Sequence, residues 1–233
     1  MIFLLLTLPI VFHLPILSMH QISNMVAIQS VFALISGAYV YLREGTYHKE
    51  AFLFTGLGGF GGAIVGAWLS HLVRSEYLII LYAAISTLAA ILMFVPKRER
   101  HSTGTIQIGL QKWIRRVAHF FVGFTIATLG GVLGITAGFL LVPVMLYLFG
   151  YPIKTTLGTG ILIGTLIAFG GGLERIMYGN FPLFSSLFLV LGAIPGGYIG
   201  GKITKKLNGI IVRRVASIAI VLISLNVWYK ILI

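Results

Sequence analysis

The chain of 233 residues is 58% apolar and only 9% charged, and its formal net charge is +12. This composition excludes a soluble domain, because too few polar side chains are present to cover a wetted surface. Long stretches without a charged residue predict a polytopic membrane protein, since most approach the ~20 residues that cross a bilayer. The first of these uncharged stretches ends just before Arg43, and the others are 51–73, 77–96, 117–153, 155–173, 176–201 and 215–229.

The first apolar segment contains Pro9 and Pro15 and has no basic residues before it. We therefore expect it to be retained rather than removed as a signal peptide. The basic residues of the chain cluster between spans, which favours a role in membrane topology over a nucleic-acid partner. The positive-inside rule predicts that two such clusters are cytoplasmic. They are Lys97, Arg98, Arg100, Lys112, Arg115 and Arg116, and then Lys202, Lys205, Lys206, Arg213 and Arg214.

Residues 105–116 mix apolar and basic side chains, which predicts a short helix lying at the cytoplasmic interface. The stretch 117–150 that follows is too long for one crossing, because a straight helix over it would measure about 51 Å against a hydrocarbon core of ~30 Å. Its crossings must also be even in number if both basic clusters are cytoplasmic. We predict that the chain folds back here, as a re-entrant hairpin or two short spans, near Gly130, Gly131, Gly134 and Gly138.

Five glycines recur 134 positions later, which indicates an internal duplication. They are Gly37, Gly45, Gly58, Gly62 and Gly66, and then Gly171, Gly179, Gly192, Gly196 and Gly200. Glycine at every fourth position leaves a helix face bare, so neighbouring helices can approach closely. The predicted packing glycines are Gly58, Gly62, Gly66, Gly130, Gly134, Gly138, Gly192, Gly196 and Gly200.

The predicted fold is an all-α polytopic membrane protein of about 7–8 membrane segments, built as two glycine-zipped inverted repeats. The first repeat, 1–95, is N-terminally shortened, because it has no glycine before Gly37. A basic cytoplasmic linker, 96–116, joins it to the second repeat, 117–233, which contains the glycine-broken hairpin.

Several motifs follow one another along the chain: MHQISNMVAIQS at 19–30, GGVLGITAGFLLVPVML at 130–146, PIKTTLGTGIL at 152–162 and LGAIPGGYIGGKITKKLN at 191–208. Together they resemble the TauE/SafE family of sulfite and organosulfonate exporters, over nearly the whole chain. The family usually has consecutive glycines after Gly134, whereas Ile135, Thr136 and Ala137 stand here before Gly138. The resemblance implies a multi-pass carrier of a small anion such as sulfite or an organosulfonate, in the inner or plasma membrane.

An anion site within a membrane needs helix N-termini, hydroxyl or amide donors and shielding from lipid. The start of the span after Lys154 and its first-half counterpart both offer such groups. Lys154 either attracts anions into a vestibule or only marks topology. The hydroxyls could equally bond their own helix carbonyls, whereas Gln29, an amide in an apolar helix, needs partners. The predicted substrate-binding residues are Gln29, Ser30, Thr136, Thr155, Thr156, Gly158, Thr159 and Gly160.

The remaining polar residues do not favour catalysis. Glu174 and Arg175 fall at a predicted outer helix end and are expected to form a solvated pair. All five acidic residues are glutamates at span edges, away from any matched base, so an enzyme is not expected, and neither is a cofactor. No metal is expected, because the histidines are scattered without ligand spacing. They are His13, His20, His48, His71, His101 and His119.

The sequence therefore predicts a secondary transporter whose partners are a small anionic substrate and the lipid bilayer. Two alternatives stay open: a membrane scaffold or assembly protein that transports nothing, and a shortened inactive copy of a transporter. An assembly of several identical copies is compatible with each of them. Substrate-dependent flux distinguishes the transporter from the other two.

Overall fold

The structure is a computed structural model that describes residues 19–74, 109–133, 138–178 and 183–207, with individual positions between 77 and 87 and between 211 and 228. In this part of the chain every regular element is a helix, as the sequence predicted. The helices are α1 (Met19–Leu42), α2 (Lys49–Ser70), α3 (Gly109–Leu133), α4 (Gly138–Tyr147), α5 (Ile153–Tyr178) and α6 (Leu183–Lys206). All except the ten-residue α4 are long and apolar enough to cross a membrane. The predicted spans 77–96 and 215–229 lie largely outside the described residues.

Helices α2 and α3 are parallel and touch through their backbones. Gly58 and Gly66 of α2 lie opposite Phe120 and Thr128 of α3, in the same order along both helices. A Cβ at either glycine would come closer than 3.0 Å to the facing carbonyl oxygen, so any larger residue would force the helices apart. The pair therefore depends on glycine, as close helix packing in membranes often does.

Helix α5 packs against α2 in the same direction. His48, just before α2, bonds to Thr159 near the start of α5, and Phe60 further along α2 lies opposite Gly170. Helices α2, α3 and α5 thus begin at one end of the bundle and finish at the other.

Helices α1 and α6 run the opposite way. Asn24 at the start of α1 contacts Arg175 near the end of α5, while Gly37 lies against Ile161 near the beginning of α5. Helix α6 is parallel to α1, because Gly197 lies opposite Ala33 and the later Gly201 lies opposite Gly37 and Val40.

These directions give the bundle two ends of different charge. At the end we call the basic end, α2, α3 and α5 begin, and Arg116 pairs with Glu50 at 2.8 Å. Helices α1 and α6 finish there, where Lys205 pairs with Glu44. The basic residues gathered at this end are Arg43, Lys49, Lys112, Arg115, Arg116, Lys154, Lys202, Lys205 and Lys206. The positive-inside rule predicts that it faces the cytoplasm. The opposite end is called the Arg175 end.

The chain reverses between α3 and α4. Helix α3 leads away from the basic end, and after α4 the side chains of Phe149 and Tyr151 contact His119 in the early part of α3. The stretch 117–150 thus folds back, as predicted, although Gly134 lies outside the described residues. Helix α4 is ~15 Å long, about half the hydrocarbon core, so it reaches only part of the way across.

The predicted interfacial helix over 105–116 is wrong where the structure describes it. Residues 109–116 form the first turns of α3, which continues without a break to Leu133, while 105–108 lie outside the described residues. No glycine or proline interrupts the helix between Gly109 and Gly123. Arg115 and Arg116 both pair with Glu50, which holds the polar turns beside α2.

Candidate functional site

The start of α5 packs against the turn that precedes α2. The backbone N–H of His48 donates to the Thr159 hydroxyl at 2.9 Å, and that hydroxyl donates to the Thr155 carbonyl at 2.6 Å. A Cβ at Gly158 would collide with the carbonyl oxygen of Thr46, so glycine allows the turn to sit against the helix. Of the residues predicted in this half, the structure buries Thr156, Gly158, Thr159 and Gly160, half-buries Thr155 and exposes Lys154, and Thr136 lies outside the described residues.

A histidine network that the sequence reading missed lies next to these threonines. His119 of α3 is only 1% exposed. Its Nδ1 lies 3.0 Å from the Thr55 hydroxyl, and its Nε2 lies 3.1 Å from the Tyr151 hydroxyl. The ring stacks on Phe149, with centroids 3.8 Å apart. The presence of a histidine inside an otherwise uncharged span was the available signal, but its partners come from two segments that are distant in the sequence, α2 and the turn before α5.

The electrostatics of the basic end favour anions. Three parallel helices begin here, and each contributes the positive end of its dipole. Arg115 and Arg116 add two cations, for which Glu50 supplies only one counter-charge. An anion entering from this side would therefore meet a positive field.

His48 and Tyr151 at this end both stay uncharged near neutral pH. Burial, together with the charge of Arg115, lowers the pKa of His48 below its ordinary value of 6.5, against a smaller opposing effect of Glu50. The neutral ring caps α2, because its Nδ1 accepts a hydrogen bond from the Ala51 N–H at 3.2 Å. Burial likewise raises the pKa of the Tyr151 phenol.

The first-half candidates do not join this cluster. Gln29 is half-buried, and the Ser30 hydroxyl donates to the carbonyl of Ala27 in its own helix at 2.8 Å. Because α1 and α5 are antiparallel, the part of α1 that lies level with the threonines is near Gly37, which contacts Ile161. Gln29 is eight residues away from that point, or ~12 Å along the helix, towards the Arg175 end.

Glu174 and Arg175 are buried, which corrects the expectation of a solvated pair. Their exposed fractions are 7% and 1%. The sequence placed them at a helix end, but α5 continues to Tyr178 and lies between α1 and α2. Both side chains therefore point into a packed bundle instead of into water.

Arg175 connects four helices at its end of the bundle. Its guanidinium donates to Asn24 Oδ1 of α1, to Ser70 Oγ of α2 at 3.4 Å and to the Gly131 carbonyl of α3 at 2.6 Å. Helices α2, α3 and α5 all finish here, and the negative ends of their dipoles stabilise the cation. The carboxylate oxygen Oε1 of the neighbouring Glu174 lies 2.9 Å from Nε2 of His71. We call this arrangement the clasp, because it joins α1, α2 and α3 to α5 at this end of the bundle.

Comparison with known proteins identifies the family. The sequence model described as "Sulfite exporter TauE/SafE" matches residues 3–227. The chain belongs to the TauE/SafE family. Membership of this transporter family and the five apolar helices of the described part make it a multi-pass membrane protein.

Two relatives of the chain come from Bacillus subtilis (strain 168). "Probable membrane transporter protein YunE" is 25% identical over 215 residues, which cover 86% of this chain and 77% of the relative. "Probable membrane transporter protein YdhB" is 28% identical over 218 residues, which cover 91% and 84%. No solved structure matches the chain.

Proposed function

We propose that the protein is a secondary transporter that exports a small anion, such as sulfite or an organosulfonate, across the inner or plasma membrane. The observation that carries this proposal is the family match over residues 3–227. The relatives' names support transport in general, and the family's description supports the substrate class.

Two inverted repeats provide the mechanism in this proposal. The recurring glycines pair α1 with α5, through Gly37 and Gly171, and α2 with α6, through Gly58, Gly62 and Gly66 and then Gly192, Gly196 and Gly200. The two members of each pair run in opposite directions, as the contacts of Asn24 with Arg175 and of Ala33 with Gly197 require. Halves related in this way can exchange conformations around one central pathway, which gives alternating access.

In the proposed pathway the anion enters at the basic end. Lys154 attracts it into a vestibule, and the first turns of α5 then offer hydroxyls and backbone N–H groups at a helix N-terminus. Thr136, Thr155, Thr156, Gly158, Thr159 and Gly160 form this binding region, and Gln29 and Ser30 line the path further along. The clasp at Arg175 keeps the far end closed meanwhile.

The test is transport by the purified protein in liposomes. Labelled sulfite, sulfoacetate and sulfate are supplied separately, and saturable uptake of one anion is the expected result. Thr159→Val removes the hydroxyl without enlarging the side chain, and we expect it to lower that uptake on the order of tenfold, the effect of one lost hydrogen bond. Thr128→Val is the matched control, because Thr128 also bonds its own helix, at 2.8 Å to Phe124, but lies outside the site.

Two outcomes would count against the proposal. Folded protein that moves none of the three anions would favour the scaffold or the inactive copy. Equal uptake by the Thr159 and Thr128 variants would leave transport standing but remove the threonines of α5 from the binding region.

A further inference from the structure

His119 occupies an unusual position for a titratable side chain. It lies seven residues into the candidate span Lys112–Leu133, which is ~10 Å from the start of that span, and it is buried. A titratable residue at such a depth is costly unless its charge and hydrogen bonds are provided for. The anion site described above does not use it.

The hydrogen bonds of His119 suit both the neutral and the charged ring. Each ring nitrogen contacts a hydroxyl. Nδ1 lies 3.0 Å from the Thr55 hydroxyl, and Nε2 lies 3.1 Å from the Tyr151 hydroxyl. A hydroxyl can donate or accept, so one of them donates to the neutral ring and both accept from the protonated ring. Only hydroxyl hydrogens need to rotate between the two states. The stacked ring of Phe149 adds a favourable contact for the cation.

Tyr151 connects His119 to the basic end. It lies in the turn between α4 and α5, is half-buried, and its hydroxyl contacts the buried Nε2. The His48 ring also contacts Tyr151, with centroids 4.7 Å apart and an angle of 45° between the rings. In this arrangement the Tyr151 hydroxyl is the group through which a proton would pass to and from Nε2 of His119.

The charged and titratable groups around His119 connect its proton to the anion. Burial and the Arg115 cation, which lies one helical turn before His119 on α3, oppose a positive charge on the ring. From the side of α2 come Glu50, which pairs with Arg115, and the neutral His48. Arg116 lies on the same helix and is held by Glu50. An anion at the start of α5 would offset the repulsion between Arg115 and a protonated ring. Proton and anion would then each favour the binding of the other.

We propose that His119 is the proton-binding residue of the transport cycle, so that a proton and the anion cross the membrane together, in the direction that their combined gradients favour. This inference rests on the proposed function as an anion transporter. The sequence contains no aspartate, and the buried Glu174 lies at the Arg175 end beside His71, so His119 is the buried titratable group that lies near the start of α5.

The experiment compares two modes of transport in the same proteoliposomes. Sulfoacetate is the probe, because it stays ionised near neutral pH, whereas sulfite crosses bilayers as its neutral acid. Exchange of labelled for unlabelled sulfoacetate at equal pH needs no net proton movement, while accumulation driven by a pH gradient does. We expect the wild-type protein to perform both, and His119→Gln to keep exchange but lose gradient-driven accumulation. A purely structural role would impair both modes together.

Thr128→Val is again the control, since it removes a polar group from the same helix but outside the anion site and should leave both modes in place. Accumulation by His119→Gln at the wild-type level would overturn the proposal. The proposal would also be overturned if the wild-type protein exchanged sulfoacetate but did not accumulate it under a pH gradient. The proposed function as an anion transporter would not be affected by that result. Absence of both modes in folded wild-type protein would overturn the proposed function and this inference with it. If His119→Gln does not fold, Tyr151→Phe decides: loss of accumulation with exchange kept supports the proposal, and unchanged accumulation overturns it.

Discussion

Two helices carry glycine at every fourth position, but their glycine faces have different surroundings. In α2, a Cβ added at Gly58, Gly62 or Gly66 would collide with carbonyl oxygens of α3. In α6, a Cβ added at Gly192, Gly196 or Gly200 meets nothing within 4 Å in the described part of the chain. The same spacing thus accompanies backbone contact in one place and open space in the other.

The difference arises from which side of α6 meets its neighbour. Gly197, one residue from Gly196, lies against the Ala33 carbonyl of α1, and Gly201 lies against Gly37 and Val40. The residues of α6 that contact α1 are therefore Gly197 and Gly201, each one position after a glycine of the series Gly192, Gly196 and Gly200. A spacing of four predicts a bare helix face, but the rest of the fold decides what covers it.

The largest effect is expected from placing leucine on the packed glycine face. Gly62→Leu inserts a side chain where even a Cβ would collide with the Phe124 carbonyl. Helices α2 and α3 would have to separate, and we expect a cost above ~4 kcal/mol, beyond ordinary overpacking, with loss of folded protein. Gly196→Leu makes the same change on the open face and should leave folding intact. Fluorescence-detected gel filtration in detergent, followed by chemical unfolding, measures both.

Equal loss of folded protein in the two leucine variants would contradict this contrast. It would mean that the face of α6 with Gly192, Gly196 and Gly200 is covered in the folded protein, as the sequence-based packing prediction for these glycines requires.

A second contrast comes from the polar clasp, which ties α1, α2 and α3 to α5 and does not include α6 among the described residues. Arg175→Gln removes the buried guanidinium that donates to the Asn24 amide oxygen and to the Gly131 carbonyl. We expect the free energy of unfolding to fall by about 3 kcal/mol. Lys202→Gln on α6 removes an exposed cation over the Tyr198 ring and should cost about 0.5–1 kcal/mol. Chemical unfolding in detergent compares the two variants, and equal losses would argue against the clasp.

The sequence predicted the features that depend on composition and local pattern. Apolar stretches predicted the helices, the excess length of 117–150 predicted the reversal, and the basic clusters predicted one basic end. It did not predict the clasp, because a charge near a span end looks the same whether it is solvated or buried. Only the fold brings Asn24, Ser70 and Gly131, from three other helices, to Arg175. The same holds for His119, whose partners Thr55 and Tyr151 are remote in sequence.

A smaller substitution tests the register of α6 directly. Gly197→Ala places a Cβ against the Ala33 carbonyl, so we expect a loss of about 1–3 kcal/mol as α1 and α6 move apart. Gly196→Ala, one residue earlier, meets open space and should gain about 0.5–1 kcal/mol, because alanine favours the helix over glycine. Relative to the wild type, the free energy of unfolding should fall in Gly197→Ala and rise in Gly196→Ala. Destabilisation by both would contradict the open face.

The smallest effect concerns the beginning of α2, where the packed helix has a titratable cap. Because the pKa of His48 is lowered in the folded protein, the unfolded chain takes up a proton first as the pH falls. The stability that the neutral cap contributes is therefore fully present when the pH is above 6.5, the ordinary pKa of histidine. It declines as the pH falls from there to the lowered pKa of the folded protein, and it does not decline further at lower pH. His48→Asn keeps a residue that caps helices but cannot titrate, so its unfolding midpoint should depend less on pH than that of the wild type. The two proteins differ only at position 48, so the difference between their pH profiles isolates His48. Superimposable profiles would show that the cap does not sense pH.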